Sequence, residues 1–309
     1  MNYNFSETVF PSKDGAHTIY AEIYTPKHCP ALGIVQISHG MIDYVGRYKY
    51  LIEYLTGEGY IVAGHHHLGH GKSVTRSEDY GFFAENDGDE LVVRDMHTMN
   101  RYLRDTFPAL PLVVMGHSMG SFIARHYAAR YGAELSGLVL MGTGGPNPAA
   151  KAGLTVASII KKNHGAHYVS KLIDKLAFGA YNARTKNETP YDWLSVNKEN
   201  VQKYLADELC GFPFTVSAMH DLISLTAQCT TEKWALAMPK KLPVYLVAGT
   251  EDPVGEYGKG VKKVCRMLHL TGVRSVKTKL YRGARHEILN EACFPTVCED
   301  ILAFAERVI

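Results

Sequence analysis

Short apolar runs alternate with stretches of helical periodicity along most of the chain. Two strands with alternating polar and apolar positions come first, near residues 5–9 and 18–24, and the glycine-containing turn between them predicts a hairpin. Later apolar or β-branched runs are predicted as strands, at residues 32–37, 60–63, 112–115, 138–141, 244–248 and 273–281. Segments with one apolar side are predicted as helices, at residues 48–55, 88–107, 121–131, 260–270 and 295–308. Apolar strands bounded by helices are typical of a parallel sheet covered on both faces, so we expect an open, doubly wound α/β sheet of roughly eight strands.

This alternation breaks between residues 143 and 234. The segment contains an amphipathic stretch at residues 154–160 and many aromatic side chains, among them Phe178, Trp193, Phe212 and Phe214. Because loops at the carboxyl ends of the strands form the binding site of an α/β sheet, we predict that residues 143–234 form a helical cap. The core would then consist of residues 1–142 and 235–309. The alternative is two further helical crossovers with ordinary buried aromatics.

Composition narrows the class of protein. The chain has 309 residues, of which 46% are hydrophobic, and 33 basic against 31 acidic residues give a net charge of +2. No basic patch suggests a nucleic-acid partner. No apolar run approaches the roughly 18 residues that span a bilayer, and the first residues do not resemble a secretory signal. The six cysteines form no C-x-x-C pair, so we expect free thiols and a cytoplasmic location.

A nucleophile pattern follows one of the predicted strands. Residues 116–120 read G-H-S-M-G, and they lie between the strand at 112–115 and the helix at 121–131. A serine in this strand-turn-helix setting occupies a strained turn, and glycines two positions before and after it prevent clashes between neighbouring chain segments. Ser118 is therefore the predicted nucleophile.

A serine hydroxyl needs an adjacent base, and this fold places the residues in the order serine, acid, histidine after successive strands. Asp252 and Glu251 follow the strand at 244–248, and His286 follows the strand at 273–281. Asp252 is the preferred acid because it precedes a proline, which favours an extended backbone. Ser118, Asp252 and His286 are the predicted catalytic residues.

Two backbone amides are the predicted oxyanion donors. Residues 38–41 (S-H-G-M) end another strand, and the N–H of Met41 there would act together with the N–H of Met119, which follows the nucleophile. The alternative is a tight strand-to-helix loop without a catalytic role. These two amides complete the predicted site.

The run H-H-H-L-G-H at residues 65–70 raises the question of a metal site. A binuclear zinc hydrolase uses H-x-H-x-D-H, and Gly69 stands where that pattern needs aspartate. We therefore predict no catalytic metal and expect His70 to shape a loop near the site. Both nucleotide-binding glycine patterns are absent, so no organic cofactor is expected.

Together these segments resemble a known family. H-G-M-I-D-Y-V-G-R-Y, L-G-H-G-K-S, G-H-S-M-G, G-T-E-D-P-V-G and R-H-E-I-L-N-E are similar to the α/β-hydrolases of the monoacylglycerol lipase and lysophospholipase group, which overlaps the proline-iminopeptidase-like serine hydrolases. The resemblance covers nearly the whole chain. It implies an eight-stranded sheet with a helical cap that forms an apolar acyl tunnel, and it assigns the same five residues to the triad and the oxyanion hole.

The sequence departs from this family at two places. Asp43 and Tyr44 stand where relatives often have Glu-His, and His66 stands where relatives have aspartate. These departures concern head-group recognition and the hydrogen bonds beneath the oxyanion loop.

The resulting hypothesis is a serine hydrolase of medium- or long-chain acyl esters, such as monoacylglycerols or lysophospholipids. An aminopeptidase or amidase with the same triad would need acidic cap groups for a substrate's free amine, and seven candidates are present: Asp174, Glu188, Asp192, Glu199, Asp207, Glu208 and Asp221. A third hypothesis is a non-catalytic ligand-binding protein. The helix at 154–160, followed by Lys161 and Lys162, could rest on a lipid surface, and inward packing of this helix is the alternative.

Overall fold

One eight-stranded sheet organises the molecule. The computed structural model describes residues 3–309. The strands in chain order are β1 (Tyr3–Pro11), β2 (Thr18–Pro26), β3 (Gly33–Ser38), β4 (Tyr60–His65), β5 (Leu112–His117), β6 (Gly137–Met141), β7 (Val244–Gly249) and β8 (Val276–Tyr281). Their spatial order is β1-β2-β4-β3-β5-β6-β7-β8. β2 pairs antiparallel with both neighbours, and all pairs from β4 to β8 are parallel. The predicted hairpin and mostly parallel sheet are confirmed.

Helices cover both faces of this sheet. Within residues 3–309 they are α1 (Lys49–Gly57), α2 (Gly88–Thr106), α3 (Met119–Tyr131), α4 (Ala150–His164), α5 (Lys171–Phe178), α6 (Lys198–Ala206), α7 (Val216–Gln228), α8 (Glu232–Ala237), α9 (Lys259–Leu270) and α10 (Phe294–Val308). Side chains of α1 and α10 pack on one face, and those of α2, α3 and α9 pack on the other. Successive strand residues alternate between the two cores: Ile34 belongs to one and Val35 to the other. Every residue of β3 to β7 is buried, as expected for strands covered on both faces.

Most predicted boundaries differ from the observed ones by one to three residues, and two of these differences have a structural cause. β8 begins at Val276, because the N–H of Val273 bonds the carbonyl of Leu268 and so closes the end of α9. α3 begins at Met119, two residues before its apolar periodicity, because the turn at Ser118 leads directly into the helix. Within residues 3–309, no helix combines the length and the apolar character needed to cross a membrane.

The strand order creates a switch point between β3 and β5. The chain passes from β3 to β4 on one side and then crosses to β5 on the other. In parallel sheets a ligand site forms beyond the carboxyl ends of the strands at such a point. Ser38, the last residue of β3, pairs with Gly116 near the end of β5. The register therefore places the segments 38–41 and 116–120 side by side.

Two glycines allow these segments to meet. A Cβ on Gly116 would overlap the carbonyl oxygen of Gly120, and a Cβ on Gly120 would overlap the carbonyl oxygens of Ser38 and His39. Only a residue without a side chain fits at either position. The predicted role of the two glycines is confirmed by these contacts.

We expect Gly120→Ala to destabilise the protein by about 3 kcal/mol, since backbone atoms must move to admit the methyl group. Gly57→Ala is the matched control, because a Cβ at Gly57 has no heavy atom within 4 Å. That variant should be neutral or more stable by about 0.5 kcal/mol. The free energy of unfolding from chemical denaturation measures both. An unchanged denaturation midpoint for Gly120→Ala would contradict the close approach.

Candidate active site

Ser118 lies on the turn between β5 and α3. Its backbone has φ +52° and ψ −121°, a conformation that costs a non-glycine residue on the order of 1–3 kcal/mol. The N–H of Ser118 donates to the carbonyl of Met141 at 3.0 Å, which ties the turn to the end of β6. Ser118 is half-buried, whereas its neighbours His117 and Met119 are buried.

Asp252 and His286 meet beyond the ends of β7 and β8. His286 Nδ1 lies 3.0 Å from Asp252 Oδ1, and both residues are almost completely buried. The same carboxylate oxygen accepts the N–H of Val254 at 2.9 Å, which fixes the carboxylate. Glu251 is exposed; its backbone N–H donates to the carbonyl of Ala284, and its carboxylate accepts the hydroxyl of Thr250 at 3.4 Å. Of the two candidate acids, the structure brings Asp252 to the imidazole.

Charge and burial act in opposite directions on His286. Burial lowers the pKa of the imidazole, while the charge of Asp252 and its hydrogen bond raise it, and the net effect is a raised pKa. The arrangement holds the Nδ1–H tautomer and leaves Nε2 as the basic nitrogen.

The imidazole also lies beside the Ser118 turn. A Cβ on Gly142 would be 3.0 Å from His286 Cε1, and Gly142 directly follows the residue whose carbonyl holds Ser118. The ring of His117 lies 4.7 Å from the ring of His286, measured between centroids. Within residues 3–309 no hydrogen bond joins the Ser118 hydroxyl to His286. Asp252 and His286 are therefore in contact, and the Ser118 turn lies beside them. The hydrogen bond between the Ser118 hydroxyl and His286 stays a prediction.

The two predicted oxyanion amides are free. Gly40 N–H donates to Asp43 Oδ2 at 3.3 Å and Ile42 N–H donates to His70 Nε2 at 3.1 Å, so the amides on either side of Met41 are held. In the described part of the chain, neither Met41 N–H nor Met119 N–H has a protein acceptor. A Cβ on Gly40 would be 3.4 Å from Ser118 Cβ, which places this loop against the nucleophile turn.

A buried ion cluster, which the sequence did not predict, links three segments of the site. They are the loop after β3, the end of β5 before Ser118, and the loop after β8. Arg47 forms two hydrogen bonds of 2.8 Å to Glu287 and one of 3.1 Å to Asp43. Burial raises the pKa of Asp43, but the charge of Arg47 and the neighbouring His117 side chain outweigh it and hold this pKa well below its usual range. Tyr48 OH donates to Asp43 Oδ2 at 2.7 Å and lies 3.0 Å from His117 Nδ1. Arg47 and Tyr48 are the R-Y pair of the first quoted motif, which marks the two residues but does not indicate their partners.

The two departures from the family pattern have structural partners. Tyr44 OH donates to Asp207 at 2.7 Å, so it links the loop to the segment after α6. His66 Nδ1 accepts the N–H of Lys72 at 2.9 Å, and its ring packs edge-on against Tyr20. The His66 side chain therefore joins the first and last residues of the loop at residues 66–72.

Aromatic residues from the predicted cap reach the site by two routes. The ring of Trp193 lies 5.1 Å from that of His286. Tyr181 packs between Trp193 and Phe178, so Phe178 lies two rings further from His286 than Trp193 does. Phe212 and Phe214 instead pack against His70, at centroid distances of 5.5 and 5.4 Å. Trp193 is thus the one of the four predicted substrate-binding aromatics that contacts a predicted catalytic residue.

The mostly parallel sheet, the nucleophile turn and the histidine–carboxylate pair after β8 and β7 define the α/β-hydrolase class. A family model described as serine aminopeptidase, S33 matches residues 30–292. The chain belongs to this family, and it is an enzyme.

Individual relatives agree with this assignment. Monoacylglycerol lipase of Mycolicibacterium smegmatis is 28% identical over 303 residues, which cover 97% of this chain and 96% of the relative. A thermostable carboxyl esterase from Bacillus coagulans, solved in complex with glycerol, is 35% identical with a TM-score of 0.93, and the match covers 98% of each chain. A lipase in an open form is 30% identical with a TM-score of 0.92 over 99% of each chain. The protein is an α/β-hydrolase similar to monoacylglycerol lipases and esterases.

The geometry predicts how the pKa of His286 responds to its partner. In Asp252→Asn the strongest pKa-raising charge is gone while burial remains, so the pKa of His286 should fall. Glu251→Gln, one residue away and exposed, should leave that pKa unchanged. Titration of the His286 ring by NMR, assigned with a His286→Gln variant, measures both. A lower pKa in Glu251→Gln rather than in Asp252→Asn would contradict the pairing.

Proposed function

We propose that this protein is a serine hydrolase of acyl esters, with monoacylglycerols or lysophospholipids as the substrate class. The observation that carries the proposal is the buried hydrogen bond between His286 and Asp252 beside the strained Ser118 turn. The named activities of the similar lipases and esterases support ester substrates.

In the proposed mechanism Ser118 attacks the ester carbonyl while His286 Nε2 takes the hydroxyl proton. Asp252 keeps the imidazole in the required tautomer and stabilises its protonated form. The developing oxyanion receives the N–H groups of Met41 and Met119, which have no other acceptor among residues 3–309. The imidazolium then protonates the leaving alcohol. A water, deprotonated by His286, attacks the acyl-enzyme and releases the fatty acid.

The helices between β6 and β7 are the proposed cap. The sequence places the cap at residues 143–234. The end of this range falls inside α8, which spans Glu232–Ala237. Three contacts with His286 and Glu287, in the loop after β8, support a cap at this site. Trp193 packs on His286, the carbonyl of Leu194 accepts the N–H of Glu287 at 2.8 Å, and Asn200 donates to the Glu287 carboxylate at 2.6 Å.

Lipid contact through this cap is a further part of the proposal. Helix α4 packs mainly against α7, in agreement with the inward alternative for residues 154–160, although Ile159 is exposed. α5 presents Leu172 and Leu176 to solvent on one face, next to Lys171 and Lys175. This exposed face is the better candidate for resting on a lipid surface.

The test is a panel of substrates with one nucleophile variant. Monoacylglycerols and p-nitrophenyl esters with acetyl, octanoyl and palmitoyl chains are compared with amino-acid arylamides. We expect hydrolysis of esters over arylamides, with the longer acyl chains preferred. Ser118→Ala should lower kcat/KM for every ester by about 10⁴-fold or more, because no nucleophile remains.

Ser6→Ala, on the exposed edge strand β1, is the control and should behave as the wild type. Arylamide hydrolysis faster than ester hydrolysis would favour the aminopeptidase alternative. Full ester activity in Ser118→Ala would remove the assigned mechanism. A preference for acetyl esters would contradict the acyl tunnel.

A further inference from the structure

The residue after the proposed oxyanion donor Met41 is held in an unfavourable conformation. Ile42 has φ +53°, in the left-handed region that a β-branched side chain rarely adopts. The Met41 N–H lies in the peptide group between Gly40 and Met41, directly before the peptide group that carries the Ile42 N–H, so the course of this turn sets its direction. Some contact must therefore keep Ile42 in place.

That contact comes from a histidine the mechanism does not use. Ile42 N–H donates to His70 Nε2 at 3.1 Å, and His70 Nδ1 lies 2.8 Å from the carbonyl oxygen of Leu68. A carbonyl oxygen can only accept, so Nδ1 carries the proton and Nε2 presents a lone pair. His70 thus acts as a neutral acceptor for the strained turn.

An apolar environment formed by three aromatic rings keeps the His70 imidazole neutral. His70 is completely buried, and the rings of Phe83, Phe212 and Phe214 lie 5.9, 5.5 and 5.4 Å from it. Two of these three aromatics belong to the proposed cap. The position of the cap and the state of His70 are therefore linked by direct contact.

The other ionisable groups around His70 do not supply a stable counter-charge. His39 and His67 face it at 5.2 and 6.3 Å between ring centroids, and burial holds the pKa of each far below its ordinary value. Burial lowers the pKa of His70 to about 4, although the carbonyl of Leu68 and the charge of Asp43 act in the opposite direction and the nearby His66 acts in the same one. Asp43 is itself committed to Arg47 and Tyr48.

We propose that His70 is a positioning residue: its neutral imidazole holds residues 40–43 in the conformation that aims the Met41 N–H at the oxyanion, and its protonation releases this loop. The proposal rests on the proposed function in that it assigns Met41 as a donor. Once Nε2 carries a proton, two N–H donors face each other and the hydrogen bond to Ile42 is lost. The pKa of the folded state is lowered, so the loop should be held above pH 6.5 and lost as the pH falls toward about 4.

Two substitutions of His70 separate positioning from packing. His70→Leu fills the space among the three aromatic rings but provides no hydrogen-bond acceptor for the Ile42 N–H. His70→Gln restores an acceptor oxygen, and the glutamine side chain does not titrate between pH 4 and 8. His65→Leu is the matched control, because His65 is equally buried in the same histidine-rich segment but neither of its ring nitrogens has a hydrogen-bond partner in the described chain. The readouts are kcat and KM for p-nitrophenyl octanoate from pH 4 to 8.

In His70→Leu we expect kcat to fall about 10²-fold or more with little change in KM, since one oxyanion donor is misplaced. His70→Gln should recover most of this loss, and its Ile42 amide should stay protected from exchange to lower pH than in the wild type, since the glutamine oxygen does not titrate. His65→Leu should keep the wild-type kcat. Wild-type kcat in His70→Leu, equal losses in His70→Leu and His65→Leu, or no recovery in His70→Gln would each overturn the proposal.

Hydrogen exchange of the Ile42 amide distinguishes failure of this inference from failure of the proposed function. The amide should be protected in the wild type and in His70→Gln and should exchange rapidly in His70→Leu, whatever the substrate. If the wild type does not hydrolyse esters, the proposed function fails, and the exchange rates alone decide the role of His70. Protection that persists in His70→Leu would overturn it.

Discussion

The hydrogen bond between His286 and Asp252 is the interaction on which the site depends. Both side chains are removed from water, and a buried carboxylate is tolerated only where it is paired or hydrogen-bonded. The sheet makes the pairing possible, because β7 and β8 are adjacent and parallel and both residues follow their carboxyl ends. Gly249 allows the two loops to close, since a Cβ there would overlap the carbonyl oxygens of Ala284 and Arg285.

Around this bond, the loops of the site are joined to one another rather than held singly. The ion cluster centred on Arg47 connects the loop at residues 38–43, through Asp43, to Glu287, the neighbour of His286. Tyr48 extends the connection to His117, which precedes the nucleophile. A displacement of any one loop therefore disturbs the others. This coupling explains how a strained serine turn and a strained isoleucine turn can coexist within one site.

Much of the fold could be predicted from periodicity, because β3 to β7 are fully buried and read as short, largely apolar runs. The order of Ser118, Asp252 and His286 along the chain followed from the rule that each lies after a strand. The contact of Arg47 with Glu287 spans 240 residues, and no local pattern encodes such a pairing. The strain at Ile42 was equally invisible, since isoleucine gives no sign of a left-handed conformation. The histidine run led to the expectation that His70 shapes a loop near the site, but its hydrogen bond to the Ile42 amide could not be read from the sequence.

The central claim is that His286 activates Ser118, and the rate of covalent labelling by a fluorophosphonate tests it most directly. Peptide mass spectrometry of the labelled wild-type protein should find the adduct on Ser118. The labelling rate should fall at least about 100-fold in His286→Ala, because the hydroxyl then lacks its base. An adduct on another residue, no adduct in the folded protein, or equal rates in the two proteins would contradict the account.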